Sequence, residues 1–381
     1  MREIHEADAL ELALREGSLR DCVVQGVDLH GARLGDTDVR GALFLGCGLD
    51  PAAMAQVVDR GALVFPRLPD LPYNPYRGAL YTTEELFEAF DPSQPCSYCD
   101  CADARIYRHW REGGGAAPTS ILETLARRLH DHAITDALDE VLRGERVVAI
   151  MGGHSMARGR GAYLDVARIS RSLTLQGYVM ASGGGPGAME ATHLGAAFAE
   201  RTDEELTQAV DLLARAPKYN HREWLATAME VRTRYPDEAR RLSVGIPTWF
   251  YGHEPPNVFA THIAKYFANS VREEGLVTIA THGIIFAPGK AGTVQEVFQD
   301  AAQNHYGTVD QHISPMALFG VDYWTERYPV EPLLRKLSEG RPYAEYVTIS
   351  DDPDALVRFV VEHPPKKVEG GWSYCEEFCA G

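Results

Sequence analysis

Residues 178–190 read YVMASGGGPGAME, and this stretch decides the fold. Positions 178–181 form a short apolar run of strand length, Gly183, Gly184 and Gly185 follow, and residues 187–199 take helical spacing. Strand, glycine turn and helix in that order make the repeating unit of a parallel sheet. Upstream, Val147–Met151 reads as a buried strand, followed by Gly152-Gly153-His154-Ser155 and a helical stretch at 163–175. Downstream, strands are expected at 242–246, 283–287, 316–319 and 346–349, with helical stretches at 258–272, 293–305 and 353–361. The alternation predicts an α/β domain over 146–365, a Rossmann-like parallel sheet with helices on both faces. Ligands of such sheets bind beyond the carboxyl ends of the strands.

Two of the loops there share a design. Gly183 to Glu190, and then Pro288-Gly289-Lys290-Ala291-Gly292-Thr293-Val294-Gln295-Glu296, put glycines between a strand and a helix. Glycine lets the backbone approach a ligand, and a helix start offers unpaired N–H groups and partial positive charge. Together they predict a phosphate cradle. A dinucleotide fingerprint fails because Glu190 stands where the third glycine belongs. A Walker loop fails because five residues separate Gly283 from Gly289 and Ala291 follows Lys290.

GGGPGAMEA at 183–191 and PGKAGTVQE at 288–296 resemble the paired motifs of the LOG proteins, the cytokinin-activating phosphoribohydrolases often mislabelled lysine decarboxylases. The GGHS loop, Glu254-Pro255-Pro256-Asn257 and His282-Gly283-Ile284-Ile285 are more similar to the bacterial nucleotide 5'-monophosphate nucleosidase branch. The resemblance implies a homodimer or larger assembly, no cofactor, and an N-glycosidase that splits a nucleoside 5'-monophosphate into base and ribose 5-phosphate. It carries Glu296 over as the catalytic carboxylate, for stabilising positive charge on the ribose, and Arg272 as the family's arginine, with one extra residue between Arg272 and the motif strand that follows it. Ligand contacts are expected from Gly153, Ser155, Gly183, Gly184, Gly185, Gly187, Met189, Glu190, Gly289, Lys290, Gly292 and Thr293. Glu190 could serve the site or cap its own helix. Lys290 replaces the family's second glycine, so it either adds a phosphate contact or reshapes the loop. The alternative function is a non-catalytic nucleotide-binding sensor with the same pocket.

The first 65 residues carry a different rhythm. From Cys22 apolar residues recur every five positions, at Val24, Leu29, Leu34, Val39, Phe44 and Leu49. A period of five is neither helix nor strand, and it resembles the pentapeptide-repeat family, implying a short β-helix. Residues 66–145 read as a proline- and tyrosine-rich connector followed by a helix opened by a capping box, Ser120 with Glu123. Residues 366–381 form a tail.

With 37 basic and 54 acidic residues among 381, the chain carries −17, which disfavours nucleic acid polymers and anionic membrane surfaces. The lack of a long apolar run and of an apolar leader predicts a cytoplasmic protein. Seven cysteines suggest free thiols; a zinc site joining Cys96, Cys99 and Cys101 to Cys375 and Cys379 is weighed against them, and the single strict C-x-x-C pair favours thiols and no metal. The charged stretch 201–235 carries no motif.

Overall fold

The computed structural model describes residues 2–368 except 33, 238, 240, 253, 308 and 310. Cys375 and Cys379 lie outside the described residues. The chain forms two compact units, neither continuous in sequence. One takes Met1–Leu80, Arg105–Arg143 and Tyr266–Ala268; the other takes Tyr81–Ala104, Gly144–Lys265 and Asn269–Gly381.

In the first unit, β1 (Arg2–Ile4), β2 (Cys22–Gln25), β3 (Leu43–Leu45) and β4 (Leu63–Phe65) make a parallel sheet in chain order. Arg2 pairs with Cys22, Val23 with Leu43 and Leu43 with Leu63, so each wind takes twenty residues. The period of five fits four times into that wind, and its central residues Val24, Leu29, Leu34, Val39, Phe44 and Leu49 are all buried in one core. The structure shows a four-stranded parallel sheet here, with parallel bridges Ser18–Asp38 and Asp28–Gly48 at the same spacing, and does not show the expected pentapeptide-repeat β-helix. Only the wind from β2 to β3 consists of five-residue units; the others contain the helices Ala7–Arg15 and Pro51–Asp59.

The helix Ile121–Leu142 starts where the sequence places it, with the Ser120 hydroxyl accepting from the Glu123 amide at 3.0 Å. Glu123 does not complete the capping box: its carboxylate accepts from Arg127 at 2.6 Å and faces His109 at 3.0 Å. Leu122 and Leu125 are exposed, whereas Arg127, His130 and Asp131 are buried. Asp131 accepts the backbone N–H groups of Phe267 and Ala268, which ties that short segment to this unit.

The second unit contains β5 (Val147–Met151), β6 (Val179–Ser182), β7 (Ser243–Gly245), β8 (His262–Ile263), β9 (Ile284–Phe286), β10 (His312–Ile313), β11 (Met316–Phe319), β12 (Val347–Ser350) and β13 (Lys366–Lys367). Seven of them form a parallel sheet in the order β12-β11-β9-β5-β6-β7-β8, while β10 and β13 pair separately as an antiparallel ribbon. This α/β unit is compatible with the Rossmann-like expectation. Every side chain of β5 is buried, at a gain of about 1.5–3 kcal/mol for each fully buried aliphatic. From β5 the chain winds outward through β6 and β7 to β8, then returns to place β9 on the other side of β5. In sheets of this kind ligands bind at such a reversal, here at the carboxyl ends of β5 and β9.

Two stretches differ from the sequence reading. Residues 258–272, expected as one helical run, hold β8 first and the helix Asn269–Thr278 after it. Residues 201–235 form the helices Asp203–Leu213, with a complete capping box from Thr202 and Glu205, and Trp224–Arg234. Lys265 is fully buried, its ammonium 2.5 Å from the Asp103 carboxylate, which also accepts from Trp249 and Tyr98. Among the described residues no helix is long and apolar enough to cross a membrane.

Candidate functional site

The three glycine loops leave β5, β6 and β9 at their carboxyl ends and touch one another. Gly153 donates its backbone N–H to the Pro288 carbonyl at 3.1 Å, and Ala188 donates to the Gly153 carbonyl at 3.3 Å. Gly187 has φ +72°, and a Cβ there would collide with the Gly153 carbonyl. A Cβ on Gly289 would collide with the side chain of Thr293, which lies buried below the loop. Gly153, Gly187 and Gly289 are thus brought together by contacts that exclude side chains. The helices that follow, Ala188–Ala197 and Ala291–Tyr306, begin with no side chain capping their first N–H groups.

Neighbouring residues hold the loops in place. Asn257, fully buried, donates both its backbone N–H (2.9 Å) and its Nδ2 (3.0 Å) to the Gly184 carbonyl, while its Oδ1 accepts from Phe259 and Ala260. Gly184 donates to Ser182 Oγ, which stands 2.8 Å from His193 Nε2. Burial lowers the His193 pKa to about 3, so this imidazole is neutral at ordinary pH. Tyr323 donates its hydroxyl to the Gly289 carbonyl at 2.6 Å.

Several expected contacts have other duties. Glu190 is fully buried, and both carboxylate oxygens are occupied: Arg158 approaches through Nε at 2.7 Å and Nη2 at 2.5 Å, and Tyr163 donates its hydroxyl at 2.9 Å. The structure thus places Glu190 as the buried partner of Arg158 and Tyr163. Met189 lies under the second loop, its sulfur and methyl against Gly183 and Gly185, and so supports the glycines rather than a ligand. Lys290, Gly292 and Ser155 are exposed.

Arg272 and Glu296 do meet. Arg272 Nη1 is 3.9 Å from Glu296 Oε1, an ion pair at its outer limit. Arg272 Nε is buried without a partner. Burial pushes the Glu296 pKa up to about 7, with Arg272 pulling it down and Glu273 pushing it further up. Such a carboxyl can hold or release a proton near neutrality.

Sequence patterns give little sign of the parts that brace the loops. His154 Nδ1 lies 3.2 Å from Glu254, and Glu254 and Asn257 both belong to the EPPN segment, which in the sequence marks only a resemblance. Arg158 and Tyr323 carry no local signal. Among the described residues, the group of His, Cys, Asp or Glu close enough to share a metal ion is Glu3, His5 and Glu140 of the first unit, and it includes none of Cys96, Cys99 and Cys101.

No family model matches the chain, and no curated protein matches it. Solved structures do. One is the molybdenum cofactor binding protein of the phototrophic bacterium Rippkaea orientalis, 15% identical over 58% of this chain and 98% of that one, with a TM-score of 0.37. Two are structures of the molybdenum cofactor carrier protein of Chlamydomonas reinhardtii, each 13% identical over 57% of this chain, covering 98% and 97% of theirs, with TM-scores of 0.35 and 0.37. A likeness of that degree carries no argument about the ligand of this chain. The LOG expectation is corrected by these findings: no family or curated match supports it, and the similar structures bear other names. With it go the nucleosidase and phosphoribohydrolase activity, the hydrolase class and the pentapeptide-repeat family.

Proposed function

We propose that the second unit binds a small phosphate-bearing molecule on the three glycine loops, with Arg272 supplying a charged donor beside them. The observation that carries this reading is the mutual contact of Gly153, Gly187 and Gly289 at the turning point of the sheet, where a Cβ is excluded and two helices start without a side-chain cap. Uncapped helix starts favour an anion through their N–H groups and dipoles. Glycine allows those groups to come within bonding distance of it. The unpartnered Nε of Arg272 supports a further acceptor on the ligand, since a buried donor left unsatisfied costs about 1–3 kcal/mol.

Thermal unfolding in the presence of inorganic phosphate, ribose 5-phosphate and the molybdenum cofactor named for the similar structures tests this. At least one is expected to raise the melting temperature, and Gly187→Ala and Arg272→Met are expected to remove or weaken the response. A protein indifferent to every phosphate-bearing probe, or a response that both variants retain, would sink the proposal.

A further inference from the structure

The amino-terminal end of the same sheet, opposite the glycine loops, holds a cavity of about 200 Å³. It lies where β9 and β11 begin, lined by His282, His312 and Ser314, with Asp300, Gln303 and Asn304 reaching it from the helix Ala291–Tyr306. Valine, alanine and proline side chains, Val277, Ala280, Val309 and Pro365, supply apolar wall. At roughly 30 Å³ for a water in the liquid, the space equals about six or seven waters, the bulk of a single substituted ring.

Asp300 sets what can enter. It is only 2% exposed; Oδ1 accepts from Asn304 Nδ2 at 3.2 Å, and Oδ2 is buried with no partner. Asn304 is spent, because its Oδ1 accepts from the Ser314 amide. We propose that this cavity is a second ligand site, separate from the glycine loops, for a small planar organic cation of the amidine or guanidine type held by Asp300 Oδ2. Such a group offers a charge-assisted N–H bond to the unpartnered oxygen, and its flat body suits the apolar walls. Burial keeps the Asp300 pKa well above the usual carboxylate range, and an adjacent cation supplies the partner that ionisation needs. His282, also lining the cavity, is held below the ordinary imidazole value by burial and by Arg146, which disfavours its charged form.

Calorimetric titration of the full chain with benzamidine, and with benzoate as the same shape of opposite charge, decides the matter. Saturable benzamidine binding is expected, weakened at least about tenfold by Asp300→Asn and also weakened by Val309→Phe, which fills the half-buried rim. The response to inorganic phosphate should be the same in all three proteins. Benzoate binding as well as benzamidine does, undiminished binding in the variants, or no saturation with millimolar benzamidine would overturn the proposal. Should Asp300→Asn fail to fold, Val309→Phe decides between these outcomes alone.

Discussion

Glu190 and Glu296 each follow a glycine loop within the first two turns of a helix, and their surroundings are opposite. Glu190 has every oxygen answered by Arg158 and Tyr163. Glu296 has one arginine at 3.9 Å, and that arginine keeps an unanswered nitrogen. A carboxylate whose valences are filled from within the chain serves the fold. One left half-answered beside the glycine loops is free to respond to a ligand.

The largest expected effect falls on the filled side. Glu190→Ala leaves the Arg158 guanidinium buried without its counter-charge, and chemical denaturation should show a loss of about 3–5 kcal/mol. A loss below about 1 kcal/mol, the worth of a surface pair, would erase the contrast.

Glu296→Gln should act in the other direction. The folded-state pKa of about 7 lies above the ordinary 4.5, so the native state keeps a proton that the unfolded chain has released between those values. Stability therefore falls as pH rises through that window and levels off above it, by at most about 3 kcal/mol. The glutamine variant removes this slope: it should match the parent near pH 4 and exceed it near pH 8. Parallel stability curves for the two proteins would show that Glu296 ionises without cost.

Arg272→Met sharpens the comparison from the ligand side. Affinity for whichever phosphate-bearing probe binds should drop by about 1.5–3 kcal/mol, the range for hydrogen bonds to charged groups, with folding unaffected. Equal affinity would detach the arginine from the site. The smallest effect belongs to Lys290→Ala, because that side chain is exposed: at most about 1 kcal/mol of affinity, shrinking with added salt.

The sheet and the glycine loops were legible because their signals are local: apolar runs of strand length such as Val147–Met151, then glycines, then helical spacing. Strand β8 was hidden, since His262 and Ile263 make only two residues within an apolar stretch that also suits a helix. The partner of Glu190 was equally hidden, for Arg158 lies 32 residues away and only the fold brings it near. Residues 266–268 join the first unit through hydrogen bonds from the Phe267 and Ala268 backbone N–H groups to the Asp131 carboxylate, contacts across 136 and 137 positions that no pattern announces. Motif wording located the loops but named the wrong family, because glycine geometry records where a backbone must come close and is silent on what it comes close to.

Asn257 bears on how fast the glycine loops can work. By gripping the Gly184 carbonyl twice and the amides of Phe259 and Ala260 once each, it freezes the second loop before any ligand arrives. A guest then meets a finished mould and spends none of its binding energy on ordering that loop. For the ligand proposed above, association would then be governed by diffusion and orientation rather than by a folding step, and residence time would be the quantity on which different guests are distinguished.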